Sequence, residues 1–157
     1  MARDATVQLE NTFRAPPAYV AAWLTDFRED DGPRYFGMPG PSRIRREGDL
    51  ILTEAPLPIG STRGRLTLES PTRWSAESEI LDRRGRVLVR SRLLETVAPE
   101  GAGSRHTVRV TLTPESLRGR LMLPFMKAMM RRTLRRGFAA VRRELDAAFR
   151  AGRAPTE

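Results

Sequence analysis

The sequence predicts an α+β protein in which a curved antiparallel sheet of seven strands wraps around one long C-terminal helix. Two observations predict this fold class. Between Ala5 and Thr113, apolar and polar residues alternate in a series of short segments, which is typical of half-buried strands. Between Glu115 and Arg150, apolar residues instead recur at helical spacing. A helix with so narrow an apolar stripe needs a partner surface, and we expect the sheet to supply it.

The first two elements are predicted to be a strand and a short helix. The strand runs from Ala5 to Arg14, and one of its faces carries Val7, Leu9, Asn11 and Phe13. The prolines Pro16 and Pro17 end the strand and favour the first turn of a helix. Apolar residues then repeat at helical spacing to about Phe27, which predicts a short helix between strands 1 and 2.

Residues 28–41 are predicted to be a loop that folds over apolar surface. The segment is rich in Gly, Pro and acidic residues, yet it contains Tyr35, Phe36 and Met38. Exposed loops rarely carry three large apolar side chains, so we expect this loop to cover something. A single helical turn around residues 33–36 is an alternative.

Six further strands are predicted between residues 42 and 113. Residues 42–47 and 49–54 form a hairpin around Gly48, and residues 62–70, 74–80, 86–97 and 105–113 form the other four strands. Two segments with Pro and Gly, residues 55–60 and 98–104, are predicted to interrupt the sheet. On the last strand we expect the inward face to carry His106, Val108, Val110 and Leu112.

The C-terminal helix is predicted to have one apolar and one basic face. The apolar stripe consists of Leu123, Met130, Leu134, Phe138, Val141, Leu145 and Phe149. We expect Pro124 to bend or restart the helix. A second stripe of Leu121, Phe125 and Met129 faces the other way. Either Pro124 redirects it, or it meets the loop 28–41 or another subunit. Residues 1–151 are predicted to form one domain, and residues 152–157 a frayed tail. The protein is predicted to be a monomer or a homodimer.

Composition excludes several functional classes. The chain has no cysteine, which excludes disulfides, thiol catalysis and cysteine metal ligands. It has one histidine and no HExxH motif, so we expect neither a metal site nor a cofactor. The chain has neither a long apolar run nor an apolar signal region at its start, and we expect a cytoplasmic protein.

The net charge of +9 comes from the C-terminal part of the chain. Residues 101–157 carry 13 basic and 4 acidic side chains. We expect the basic helix face to be solvated. The less favoured alternative is binding of nucleic acid or an anionic membrane through Arg131, Arg132, Arg135, Arg136, Arg142 and Arg143.

The order of elements resembles the helix-grip fold of the START-like / Bet v 1-like (SRPBCC) superfamily, in its polyketide cyclase/dehydrase and lipid-transport branch. The resemblance covers nearly the whole chain. It rests on the opening strand through Asn11, the Tyr19-Val20-x-x-Trp23 helix, Gly60 before a strand, and the final helix rich in Arg and Leu. It implies a pocket for an apolar ligand, and also allows a cyclase or dehydratase that folds a reactive chain inside that pocket.

The candidate ligand-binding residues are polar groups on inward faces and large apolar groups near the ends of elements. They are Asn11, Tyr35, Phe36, Trp74, Ser78, Ser91, His106, Met126 and Met130. For each there is a structural alternative: the polar groups can satisfy backbone atoms, and the apolar groups can be core. His106 is the candidate acid or base if the chain is an enzyme, since imidazole is the side-chain group best suited in general to proton transfer near neutral pH.

The leading hypothesis is a binder of a small, largely apolar molecule such as a lipid, an isoprenoid or a polyketide-like aromatic. Activity on that molecule as a cyclase or dehydratase is left open. The rival is an interaction module that uses the basic helix face to bind an acidic protein, nucleic acid or anionic membrane.

Overall fold

The computed structural model describes residues 4–26 and 43–155 and contains one antiparallel sheet and two helices. The strands are β1 (Ala5–Phe13), β2 (Arg43–Glu47), β3 (Leu50–Leu57), β4 (Gly60–Ser70), β5 (Arg73–Asp82), β6 (Val87–Glu100) and β7 (Gly103–Pro114). Helix α1 (Pro17–Leu24) lies between β1 and β2, and helix α2 (Leu117–Arg150) follows β7. The strands are ordered β1-β7-β6-β5-β4-β3-β2. The fold class predicted from the sequence is confirmed.

The two predicted loops 55–60 and 98–104 are two-residue turns, and the corresponding prediction was wrong. β3 continues through Leu57 and β6 through Glu100. In its described part, β2 begins at Arg43, which lies opposite Glu54, so Pro56 lies beyond the described β2–β3 pairs. Proline is tolerated there because it has no amide hydrogen to donate to a second strand. Pro99 similarly lies beyond Thr96, which pairs with the first residue of β5. Among the described residues, each proline therefore has a paired strand on one side only.

Helix α2 begins at a side-chain cap and does not restart at Pro124. The Ser116 hydroxyl oxygen accepts a hydrogen bond from the Gly119 amide at 3.0 Å. The helix then runs for 34 residues, with Pro124 inside it. Pro124 is exposed, so water can reach the carbonyl that lacks an amide partner there. The expected restart was therefore wrong.

Helix α2 packs mainly against β1, β7 and β6. Its predicted inner stripe is buried or half-buried, and Leu145 is fully buried. Its arginines at 131, 132, 135, 136, 142 and 143 are exposed. No helix in the described ranges combines the length and apolarity that a membrane span requires.

The apolar core consists of two clusters at opposite ends of the helix. The first lies beneath α1 and the end of α2 and includes Val20, Trp74 and Leu145. The second lies beneath the start of α2 and includes Leu112 and Met126. The polar residues of the candidate site lie close to the region between these clusters.

The end of the chain is attached to the first cluster. Helix α2 closes with hydrogen bonds from the Gly152 amide to the Phe149 carbonyl and from the Arg153 amide to the Ala148 carbonyl. The Tyr19 hydroxyl donates to the Arg153 carbonyl at 2.9 Å. The domain bounds predicted from the sequence stay a prediction.

Candidate functional site

His106 lies on the inner face of β7, between strands β1 and β6. Its direct neighbours across the sheet are Asn11 on β1 and Val97 on β6. Its ring centroid lies 5.2 Å from that of Phe138, which is on the inner face of α2. The alternation of residues in the sequence therefore placed His106 and Asn11 on the correct face.

His106 is paired with Glu95, which is also on an inner face. The distance between His106 Nε2 and Glu95 Oε2 is 2.6 Å. The two side chains are only 3% and 11% exposed. The other ring nitrogen, Nδ1, is buried and has no hydrogen-bond partner among the described residues. A buried nitrogen without a partner is unfavourable by about 1–3 kcal/mol, so Nδ1 is the group in this site that a ligand would satisfy.

Three aromatic rings surround the imidazole. Trp74 stacks on it with an interplanar angle of 25° and a centroid distance of 6.0 Å. Phe13 and Phe138 lie at centroid distances of 6.4 Å and 5.2 Å. Trp74 is only 1% exposed, so it is a core residue that packs against His106. The rings and the bond to Glu95 together fix the direction in which Nδ1 points.

Asn11 connects the first strand to the helix. Its Nδ2 donates to the carbonyl oxygen of Phe138 at 3.2 Å. Since Phe138 also packs on His106, the two inward polar groups of β1 and β7 contact one residue of α2. This contact supports the structural interpretation of Asn11 that the sequence left open.

Ser78 and Ser91 belong to a row of small polar residues across the concave face of the sheet. They are direct cross-strand partners, and the row continues through Gly64 to Thr53. All four are half-buried, although they lie on the same face as the buried core. Helix α2 packs mainly over β1 and β7, so these four residues on β3 to β6 remain partly accessible above the sheet. We call the space above them the cleft.

Gly64 makes room for the side chains of its cross-strand neighbours. A Cβ atom at this position would overlap the hydroxyl group of Ser78 and press on Thr53. A side chain here would therefore displace Ser78.

The remaining predicted residues are distributed between the core and the undescribed segment. Met126 is 2% exposed and belongs to the second core cluster, and Met130 is half-buried and packs against it. Tyr35 and Phe36 lie outside the described residues, as does the predicted loop 28–41. Within residues 4–26 and 43–155, no three potential metal ligands come together.

Sequence reasoning missed Glu95, the partner of His106. The strand around it has apolar residues on both faces, so alternation did not indicate which side chains point inward. Counting back along β6 from the turn at Gly101 would have found it. Val97 is opposite His106, and Glu95, two residues earlier, has the same orientation.

Comparisons with known proteins identify the fold. No family model and no curated protein matches the chain. Among solved structures, the Zhui aromatase/cyclase of Streptomyces sp. R1128 has a TM-score of 0.72 at 16% identity, over 96% of this chain and 98% of that one. A protein of Thermus thermophilus has a TM-score of 0.68 at 18% identity, over 92% and 99%. The allergen Ara h 8.0201 has a TM-score of 0.66 at 13% identity, over 91% and 98%.

These likenesses extend over whole chains. The architecture is the helix-grip fold of the Bet v 1-like (SRPBCC) proteins, as the resemblance in the sequence implied. At such identities the comparisons establish the fold, and the function has to be argued from the site.

Proposed function

We propose that this chain binds a small, largely apolar molecule in the cleft between α2 and the concave face of the sheet. The observation that carries the proposal is His106 Nδ1, a buried nitrogen that has no hydrogen-bond partner among the described residues and is fixed in direction by Glu95 and by aromatic rings. A site lined mostly by apolar groups with a few oriented polar ones is typical of small-molecule pockets. Candidate ligands are a lipid, an isoprenoid or a polyketide-like aromatic.

The proposed ligand has one polar group and an apolar body. With Nε2 bonded to Glu95, Nδ1 of a neutral imidazole accepts a hydrogen bond from a ligand hydroxyl, and Nδ1 of an imidazolium donates one to a carbonyl. The half-buried inner side chains of Met130, Leu134 and Phe138 would contact the apolar body. Ser78 and Ser91 lie at the level of Leu112, further along the strands than His106, and would supply hydroxyl groups to the far end of the ligand.

The His106–Glu95 pair favours a second candidate function, a cyclase or dehydratase acting on the bound molecule. A carboxyl group that orients a histidine is a common arrangement for moving a proton in a site shielded from water. The Streptomyces structure of the same fold is described as an aromatase/cyclase, which agrees with this candidate. His106 would exchange the proton through Nδ1, and Glu95 would orient the ring.

Native mass spectrometry of the protein purified without detergent tests the binding proposal. We expect a mass increment that is lost on denaturation, and solvent extraction then identifies the molecule. An environment-sensitive apolar dye provides an independent assay, because it should fluoresce with the folded protein and be displaced by the extracted molecule. A folded protein that carries no molecule and binds no dye would contradict the proposal.

A further inference from the structure

The start of α2 carries an exposed apolar ridge. Leu117, Leu121 and Phe125 are 72%, 75% and 64% exposed. Their four-residue spacing places them in one line along just over two turns of the helix, about 12 Å from first to last. Among the described residues these are the large apolar side chains that remain exposed. Such a contiguous patch marks an interaction surface more often than chance exposure.

Basic residues continue the same helix face beyond the ridge. Arg132 follows Phe125 by seven residues, or two turns, and Arg135 and Arg136 follow it. From residue 116 to residue 143 the chain contains nine Arg or Lys and no Asp or Glu. In the described part of the chain, the ion pairs involve other arginines, most of them on the sheet.

A surface groove lies among the basic residues of this helix. It has a volume of about 560 Å³ and is lined by Lys127, Arg131, Arg132 and Arg135, together with Pro124 and Ala128. Several guanidinium groups around a shallow groove are suited to a phosphate group, because arginine binds phosphate oxygens through two parallel N–H donors.

We propose that this outward face of α2 docks onto an anionic lipid membrane, with the ridge in the acyl boundary and the arginines at the phosphates. A helix with Leu and Phe at one place and basic residues beside them is typical of interfacial binding. The ridge protrudes, and a bilayer accepts protruding side chains without a complementary pocket. A second copy of this chain would bring like charges together. The face points away from the cleft, so this proposal does not depend on the ligand proposal.

Co-sedimentation with vesicles tests the proposal. One set of vesicles contains phosphatidylcholine alone, and the other contains phosphatidylcholine and phosphatidylglycerol in equal parts. We expect binding to the anionic set only, weakened by added salt. Leu121→Ser/Phe125→Ser should lower the affinity on the order of tenfold, because it removes the inserted apolar groups. Arg132→Gln/Arg135→Gln should lower it roughly fivefold for each charge.

A matched variant controls for the loss of net charge. Arg65→Gln/Arg84→Gln removes two exposed arginines from the sheet side of the molecule and should leave vesicle binding unchanged. All variants should keep the wild-type melting temperature, since the altered side chains are exposed. Wild-type protein that fails to bind the anionic vesicles would overturn the proposal, as would unchanged binding by Leu121→Ser/Phe125→Ser. Binding of duplex DNA in place of vesicles would also overturn it and would assign the arginines to nucleic acid.

Discussion

Glu95 and His106 form a diagonal pair across two neighbouring strands. Glu95 lies opposite Val108 on β7, and His106 lies opposite Val97 on β6, yet their side chains meet at 2.6 Å. Both side chains point toward the helix, and Trp74 on β5, the direct partner of Glu95, stacks on the imidazole. The pair therefore joins β6 to β7 inside the protein and leaves Nδ1 without a hydrogen-bond partner among the described residues.

The first prediction concerns the free energy of unfolding that the pair contributes. His106→Leu should destabilise the protein by about 3 kcal/mol, because it leaves the buried carboxyl group of Glu95 without its partner. Glu95→Leu should cost about 1–3 kcal/mol for the analogous reason at Nε2. Denaturant unfolding monitored by circular dichroism measures both values.

The double variant His106→Leu/Glu95→Leu is the control for this prediction. The double variant should lose clearly less free energy of unfolding than the two single variants lose together, since neither polar group then remains buried and unpaired. Costs that simply add would show that the two side chains do not interact in solution.

The second prediction concerns the orientation of α2. Leu145 is fully buried, so Leu145→Ala should lower the free energy of unfolding by about 2–5 kcal/mol. Arg142 lies three residues earlier on the exposed face, and Arg142→Ala should change stability by less than about 0.5 kcal/mol. Thermal melts of the two variants provide the measurement. Similar melting temperatures would mean that the buried face is assigned incorrectly.

The third prediction concerns the cleft. Ser78→Phe should abolish binding of an apolar dye, because the phenyl ring would occupy the space beside Ser91 and Gly64. Thr67 is exposed on the opposite face of the sheet, so Thr67→Phe is the matched control and should bind dye normally. A fluorescence titration of each variant, with a melting curve to establish folding, tests the prediction. Normal dye binding by folded Ser78→Phe would place the binding space elsewhere.

The fourth prediction concerns pH and the turn between β5 and β6. The hydrogen bond from the Arg86 backbone amide lowers the pKa of Asp82, helped by the Arg86 guanidinium and the Arg84 amide. A lowered pKa in the folded state means that the carboxylate stabilises the fold above the ordinary pKa of aspartate. That contribution disappears as the pH falls through the lowered value.

The variant Asp82→Asn tests whether the stabilisation by Asp82 is lost as the pH falls. The variant should be less stable than the wild type at neutral pH, and the difference should shrink steadily on acidification. Urea unfolding of both proteins at a series of pH values measures it. A difference in stability that is independent of pH would show that the charge of Asp82 does not contribute.

Sequence reasoning succeeded where neighbouring residues alone determine the outcome. In β1 and β7, strict alternation assigned Asn11 and His106 to the inner face, because successive side chains of a strand point to opposite sides. In α2, helical spacing assigned Leu145 to the core and the arginines to the surface for the same geometric reason. These regularities predicted a curved antiparallel sheet wrapped around a long helix, and the resemblance of that order of elements to a known superfamily implied the helix-grip fold.

Sequence reasoning failed where the outcome depends on a partner strand. Pro56 and Pro99 indicated loops, yet both lie in strands, because in the described part of the chain each has a pairing neighbour on one side only. Pro124 indicated a bend or a restart of α2, and the restart does not occur, because a single missing hydrogen bond on an exposed side does not end a helix that is packed along its opposite face.

By itself, the sequence determined which face β1, β7 and α2 bury, since that follows from the local geometry of the backbone. Only the tertiary structure decided which side chains meet. The register between β6 and β7 brings Glu95 to His106, and the packing of α2 over one half of the sheet leaves Ser78 and Ser91 accessible. Both depend on contacts between residues distant in the chain, which periodicity along the sequence does not contain.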